Sequence, residues 1–367
     1  MSKTYRAVVL GDTQRGAFGH WLDLAFARVP EVKLAAIADP DSEGLKEAVT
    51  RTGAERGYTD YRQMLKKERP EIAVVSPRWC DRRNTMIQAC ADAGVAGIYL
   101  EKPTAQTLAD ADEYLDACDR KNIKIAVDHW RAGGEVRLAR EMIERGDIGQ
   151  VQIIRGHGKA DQRAGGVDLM LLGTHVLDAM RYLAGTDVAW VHGHVTKDGR
   201  DVTCADAFDG PEGMPRVAGN GVTGEFAFTN GVRGSYESLF LEQNLPKGAN
   251  YLGCEIIGTK GILSLRYRSL RRYARGLWMA GEEFGSWENV PVPPWDSLDS
   301  ESYYLHCHEF AIRELIQAIE QDRPVRACSS GHDGRAALEI IMAIHESHLS
   351  GRRIALPMRN RQNPYDS

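Results

Sequence analysis

"VVLGDTQRGAFGHW", residues 8–21, decides how the first part of this chain folds. A β-branched run ends on Gly11, a polar turn follows, and apolar residues return at helical spacing in "GHWLDLAFARV", 19–29. Strand, glycine-rich turn and helix open a dinucleotide-binding unit, whose fingerprint is G-x-G-x-x-G. Here Gly11 is followed by Asp12, Thr13, Gln14 and Arg15. The reading keeps Gly11 as the glycine that ends the strand. It takes Gly16-Ala17-Phe18-Gly19 as the second half of the fingerprint, so the lip of the turn is lengthened rather than broken. Asp39 closes the next strand about 20 residues further on, the separation at which an acid meets ribose hydroxyls. Gly16 lets the backbone approach a pyrophosphate, and a helix starting near residue 17 offers free N–H groups and partial positive charge. Arg15 adds charge to the lip, while Asp12 repels phosphate unless it is turned away. A carboxylate at 39 repels a 2′-phosphate and so favours NAD over NADP. An ordinary βα turn with no ligand is the competing reading of these residues alone.

The rhythm continues outward from that turn. Strand signals at 32–41, 71–77, 95–103 and 123–130 alternate with helical patterns at 42–53, 60–70, 83–94 and 108–122. Such alternation means βαβ units and a doubly wound parallel sheet. After about residue 128 it stops. A helix at 134–146 is followed by period-two stretches at 150–160, 187–196, 221–230, 232–240 and 250–268, with "GTKG" (258–261) as a tight hairpin turn. Strands in direct succession imply a large, mainly antiparallel open sheet. Helices at 303–321 and 333–349 close the chain, and "SWENVPVPPWDSLDSES" (286–302) reads as a surface loop or arm. The expected fold class is therefore α/β with an N-terminal Rossmann-like domain, 1–127, and a C-terminal α+β domain, 128–367.

Composition excludes several classes. A chain of 367 residues with 43% apolar and 26% charged residues buries an ordinary core and has room for two domains. The net charge of -5 gives no basic footprint for nucleic acid. No apolar run approaches the roughly 20 residues of a membrane span. The N-terminus enters a strand at once, which leaves no place for a signal peptide, and seven scattered cysteines without a CxxC pair fit reduced thiols in a cytoplasmic protein. Of the histidines in "HCHEF" (306–310), two residues apart on a helix, each faces a different side, so no metal is expected.

"YLEKPTA", 99–105, places Glu101, Lys102 and Pro103 at the carboxyl end of a parallel strand, where open α/β sheets hold their ligands. Lysine there can hydrogen-bond a substrate oxygen, and Glu101 can pair with the ammonium. Taken with "AIADPD" (36–41), "GDIGQV" (146–151), "GTHVLDAMRYL" (173–183) and the tail at 334–357, this chain resembles the Gfo/Idh/MocA oxidoreductases. The resemblance runs through nearly the whole length. It implies a Rossmann-like domain followed by an open-sheet domain that commonly serves oligomerisation. It also implies NAD(P)-dependent oxidation or reduction of a secondary hydroxyl on a sugar, cyclitol or derivative. The family's lysine and histidine for that hydroxyl fall on Lys102 and His175. The aspartate that the family often carries four residues before the histidine is here Leu171. Asp168 and Asp178 are the nearest carboxylates, and positions 168, 171, 175 and 178 share one face of a regular helix.

The resulting expectations are concrete. His175 takes the hydroxyl proton and Lys102 steadies the developing alkoxide. His129, Trp130, Arg131, Lys159, Arg163, Asp168 and Asp178 are candidates for touching substrate. Gly11, Thr13, Arg15, Gly16, Phe18, Gly19, Asp39, Ser76, Pro77, Glu101 and Lys102 are candidates for holding NAD. The expected partners are a carbohydrate or cyclitol and further copies of the chain, as a homodimer or homotetramer through the C-terminal sheet. Two alternatives stay open. One is a redox-neutral lyase or glycosidase that oxidises its substrate transiently with tightly held NAD; the other is a non-catalytic binding relative.

Overall fold

The computed structural model describes residues 3–240, 251–274 and 287–366. Ser286, where the proposed arm begins, and Asn250, where one strand reading begins, lie outside the described residues. Two compact units result, and neither is a single run of sequence. The first comprises 1–132, 211–215 and 298–335; the second comprises 133–210, 216–297 and 336–367.

The first unit is built on short, nearly continuous apolar strands: β1 (Tyr5–Leu10), β2 (Val32–Ala38), β3 (Arg56–Tyr58), β4 (Ile72–Val75), β5 (Gly97–Leu100) and β6 (Lys124–Val127). They pair in parallel in the order β6-β5-β4-β1-β2-β3. Strands buried on both faces carry such runs instead of alternation. The helices α1 (Leu22–Arg28), α2 (Ser42–Thr52), α3 (Tyr61–Glu68), α4 (Arg83–Asp92) and α5 (Leu108–Arg120) lie between them in sequence. Local signals fix several ends. Asp41 caps α2 by accepting from Gly44 N at 2.8 Å, Asp60 caps α3, and Thr107 caps α5. Gly53 closes α2 in the left-handed conformation that glycine adopts without strain.

The late helix Ser300–Glu320, expected with the second domain, belongs to this first unit. The strand Ser329–Ser330 explains why: it joins the parallel sheet antiparallel to β6, through Ser329↔Val127 and Ser330↔Ala126. The helix contributes a buried row, including Leu305, Ile312 and Leu315, to that unit's core. Two-residue strands have too little periodicity to be read from sequence.

Glu68 ties the sheet edge together. Its carboxylate accepts from Arg56 Nε at 2.6 Å and from Arg6 and Tyr58, and these donors hold its pKa at about 2. Replacing Glu68 with alanine is expected to cost about 2 kcal/mol, modest for so many partners because both guanidiniums still reach water. A depressed acid contributes stability above the ordinary carboxylate range and loses it as pH falls toward about 2. Urea melts of wild type and Glu68→Ala should therefore differ most near pH 7 and converge in acid.

The second unit carries the large sheet. Among the described residues it has ten strands, centred on Val151–His157. That strand pairs antiparallel with Gly253–Gly258 and parallel with Arg233–Ser238; the remaining pairs are antiparallel. "GTKG" is the expected hairpin turn, joining Gly253–Gly258 to Gly261–Arg266. Gly156 has room only because it lacks a Cβ, which would crowd Val176 at 2.7 Å on the helix Thr174–Ala184. No described helix is long and apolar enough to cross a membrane.

Candidate active site

The lip after Gly11 folds differently from its sequence reading. Gly16, Ala17, Gly19 and Trp21 have φ of 84°, 54°, 62° and 64°. Four left-handed residues within this stretch cannot be helical. The first α-helix consequently begins at Leu22, not near residue 17. Instead, the lip closes on itself: Asp12 N donates to Ala17 O at 3.2 Å and Ala17 N to Asp12 O at 2.8 Å. Gly16 and Gly19 permit close packing. A Cβ on Gly16 would stand 2.7 Å from Arg78 Cβ, and one on Gly19 would stand 2.6 Å from Glu101 Oε2. Phe18 is buried, with its ring over Gly11.

Asp12 is turned inward. It accepts from Gln14 N at 3.2 Å, with Arg15 at 3.9 Å and Arg82 at 4.0 Å. Burial raises its pKa against the pull of those donors. Arg15 pairs with Asp81 at 2.5 Å and lies over the Trp79 ring, which fastens the lip to the loop after β4. In that loop Ser76 spends its hydroxyl on Leu10 O at 2.6 Å. Asp39, the expected ribose acceptor, is fully buried and already engaged by Thr13 and Asp41.

Beyond the sheet edge, a cavity of about 460 Å³ is lined by Gly11, Asp12, Pro40, Thr59, Arg62 and Arg82, among others. That volume is in the range of small-molecule sites. Further along the edge, Glu101 is fully buried, and neither carboxylate oxygen accepts a hydrogen bond among the described residues. His20 Nδ1 is an ionic neighbour of Glu101, at 3.4 Å. Burial pushes the Glu101 pKa up, but the charges of His20, Lys102 and Arg83 outweigh it and hold the group ionised, at about 2. An orphaned buried carboxylate, arginines around the lip and a cavity of this size fit a dinucleotide. Lys102 is itself buried, at 5% exposure.

His20, Glu101 and Asp128 present three ligand-capable atoms within 4.8 Å of one another, a grouping the sequence reading did not foresee. The positive charge of Lys102 acts on both carboxylates. The two histidines of "HCHEF" part as expected. His306 Nδ1 meets Ser302 O at 2.8 Å, while His308 is buried between Tyr99 OH at 2.8 Å and His20 O at 2.7 Å. His129, Trp130 and Arg131 are buried within the first unit. His129 Nδ1 meets Ser329 Oγ at 3.0 Å, and Arg131 holds Arg326 O and Asp333.

His175 belongs to the second unit, half-buried at the start of the helix Thr174–Ala184. A π-turn, Leu169–Gly173, precedes it. The inserted residue shifts the register, so positions 168 and 171 do not continue the α-helical face of 175 and 178. π-turns concentrate at functional sites. Leu171 is buried. Asp178 is buried beside Arg181, at 4.0 Å. Asp168 organises the glycine-rich loop before the helix: it accepts from Ser238 Oγ at 2.6 Å and from Lys159 N at 3.1 Å. Ser238 in turn accepts from Gly165 N at 3.0 Å. Lys159 and Arg163 both pair with Asp161. Tyr236, fully buried beside Asp168, has a hydroxyl with no hydrogen-bond partner among the described residues. Its signal was in the period-two pattern of "VRGSYESLF", which turns Gly234, Tyr236 and Ser238 inward.

Two domain descriptions of one family match this chain. "Oxidoreductase family, NAD-binding Rossmann fold" covers residues 12–129, and the "GFO/IDH/MocA C-terminal domain" covers 136–264. The chain belongs to the Gfo/Idh/MocA family. Its first unit is an NAD-binding Rossmann fold, and the protein is an NAD-dependent oxidoreductase. Levoglucosan dehydrogenase of Pseudarthrobacter phenanthrenivorans is 29% identical over 289 residues, covering 69% of this chain and 72% of the relative. D-apiose dehydrogenase of Paraburkholderia graminis is 26% identical over 358 residues, covering 93% and 87%. A solved levoglucosan dehydrogenase in complex with NADH shares the fold of this Gfo/Idh/MocA member, with a TM-score of 0.77, 23% identity, and coverage of 97% and 100%.

Proposed function

We propose that this chain is an NAD-dependent dehydrogenase that oxidises a secondary hydroxyl of a sugar, cyclitol or derivative. The observation that carries the reading is Lys102, a buried lysine at the carboxyl end of β5 beside an ionised, buried Glu101. The names of the relatives, levoglucosan dehydrogenase and D-apiose dehydrogenase, support the substrate class.

NAD, when bound, supplies the hydride acceptor. The chain's own residues do the rest. Arg15, Arg78 and Arg82 supply positive charge for a pyrophosphate, and Glu101 supplies acceptors for ribose hydroxyls. Lys102 donates to the substrate oxygen and stabilises its negative charge as the O–H bond breaks, in a buried setting where such donors act strongly. His175 takes the proton as the general base. Asp168 holds the loop at 159–165 in place through Lys159 N and, via Ser238, through Gly165 N. The first unit serves the cofactor. The second serves the substrate, and its open sheet face serves contact between copies of the chain.

The test is formation of NADH, followed at 340 nm, on mixing the protein with NAD⁺ and a panel of sugars, anhydrosugars and cyclitols. A redox-neutral elimination is the second reading, favoured by the buried Leu171 where the family often has an aspartate. Cleaved product without accumulated NADH, with cofactor that survives dialysis, would select it.

A further inference from the structure

Asp39 is read from sequence as the residue that accepts a ribose hydroxyl, yet both of its oxygens are already engaged within the chain. Oδ1 accepts from Thr13 N at 3.1 Å and Asp41 N at 2.9 Å; Oδ2 accepts from Thr13 N at 3.1 Å and Thr13 Oγ at 2.7 Å. Thr13 N–H is shared between the two oxygens, so three donors hold the carboxylate: Thr13 N, Asp41 N and the Thr13 hydroxyl. The group is also fully buried. Of these three donors, two are backbone N–H groups fixed by the chain path. Only the Thr13 hydroxyl is free to turn away.

The arrangement is built, not incidental. Gly44, in the first turn of α2, faces Thr13, and a Cβ there would overlap Thr13 Oγ. The absence of that Cβ is what lets the hydroxyl reach Asp39. The lip that carries Thr13 is held on both sides: by the Asp12–Ala17 pair, by Gln14 Nε2 on Asp41 at 3.1 Å, and by Arg15 on Asp81. A threonine side chain therefore sits on the acid at the position where a dinucleotide fold presents that acid to ribose.

We infer that Thr13 determines how this protein recognises the adenosine ribose: its hydroxyl holds the Asp39 acceptor that a ribose hydroxyl takes, so the cofactor binds at this end by exchanging one hydroxyl for another. The inference rests on NAD being the cofactor. Exchange has a simple energetic consequence. The ribose bond gained is offset by the Thr13 bond lost, so the 2′-hydroxyl adds little affinity in the natural protein. With Thr13 truncated, the same hydroxyl finds a vacant charged acceptor, and such bonds are stronger than neutral ones.

The experiment measures four dissociation constants by titration calorimetry: wild type and Thr13→Ala, each with NAD⁺ and with its analogue lacking the adenosine 2′-hydroxyl. Wild type is expected to prefer NAD⁺ by less than about threefold and Thr13→Ala by about tenfold, the factor that one charged hydrogen bond commonly supplies. Thr13→Ser, which keeps the hydroxyl, should behave as wild type. Gly44→Ala, which crowds Oγ off Asp39, should move toward Thr13→Ala and serves if that variant does not fold. Equal ratios in wild type and both perturbed variants would overturn the inference, as would a larger ratio in wild type. If no protein in the set binds NAD⁺ at millimolar concentration, the cofactor assignment itself falls, and this inference with it.

Discussion

Replacing Lys102 with methionine is expected to lower kcat/KM by roughly 100- to 1,000-fold while leaving NAD⁺ affinity within about threefold. Methionine keeps the length and apolar bulk of the stem, so the buried position is still filled. In the proposed mechanism, what is lost is one charged donor to the oxygen on which negative charge develops. Such donors act mainly in the transition state, so the loss should appear in kcat more than in KM. Stopped-flow measurement of the first turnover, with calorimetry for the cofactor, separates the two effects. Glu101 should also feel the change, because Lys102 is among the charges that hold it ionised against burial. A variant that lost NAD⁺ binding and turnover together would place Lys102 in the architecture instead of the chemistry.

The second large effect is expected at Asp168. Its replacement by alanine strands Ser238 Oγ and Lys159 N in a buried setting and should cost about 3 kcal/mol of stability. Asp168→Asn, which keeps the shape, should cost much less. The pH dependence is distinctive. Burial raises the Asp168 pKa, with the Ser238 and Lys159 donors pulling only partly against it. An acid raised on folding contributes its stability at low pH and loses it as pH rises through the raised value. Wild type should therefore outlast Asp168→Asn by most in mild acid and by least at neutral pH. Denaturant melts of the two proteins across that range give the answer. A gap that widened as pH rose would mean that Asp168 is held ionised by a partner instead.

The parallel sheet was legible because its cause is local and repeated. Apolar runs such as 72–75 and 97–100 alternate with capped helices, and few other arrangements bury them. The hairpin at 258–261 was legible for the same reason. Failures fell where long-range contact or backbone conformation overrode pattern. Nothing in "SS" at 329–330 announces a seventh strand, because two residues carry no periodicity and the partner is far away in sequence. Positive φ at Ala17 and Trp21, neither a glycine, moved the start of the helix read from the apolar spacing of 19–29 to Leu22. The π-turn at 169–173 similarly displaced a face drawn with a 3.6-residue period. Lys102 and Glu101 were singled out as site candidates because they sit at a strand end, where open α/β sheets hold ligands. Asp128, Arg83 and His20 around Glu101 were missed because only the folded chain brings them together. The acid at 39 was read as a ribose acceptor, and the threonine that engages it could be seen only once the lip had a shape.

The most direct test of the central claim is NADH yield in the presence of excess NAD⁺, with sugar consumption measured in the same tube. The account predicts at least one sugar or cyclitol that is consumed with one NADH formed per molecule, and no such signal from Lys102→Met. Sugar consumed without NADH, or an undiminished rate in Lys102→Met, would contradict it.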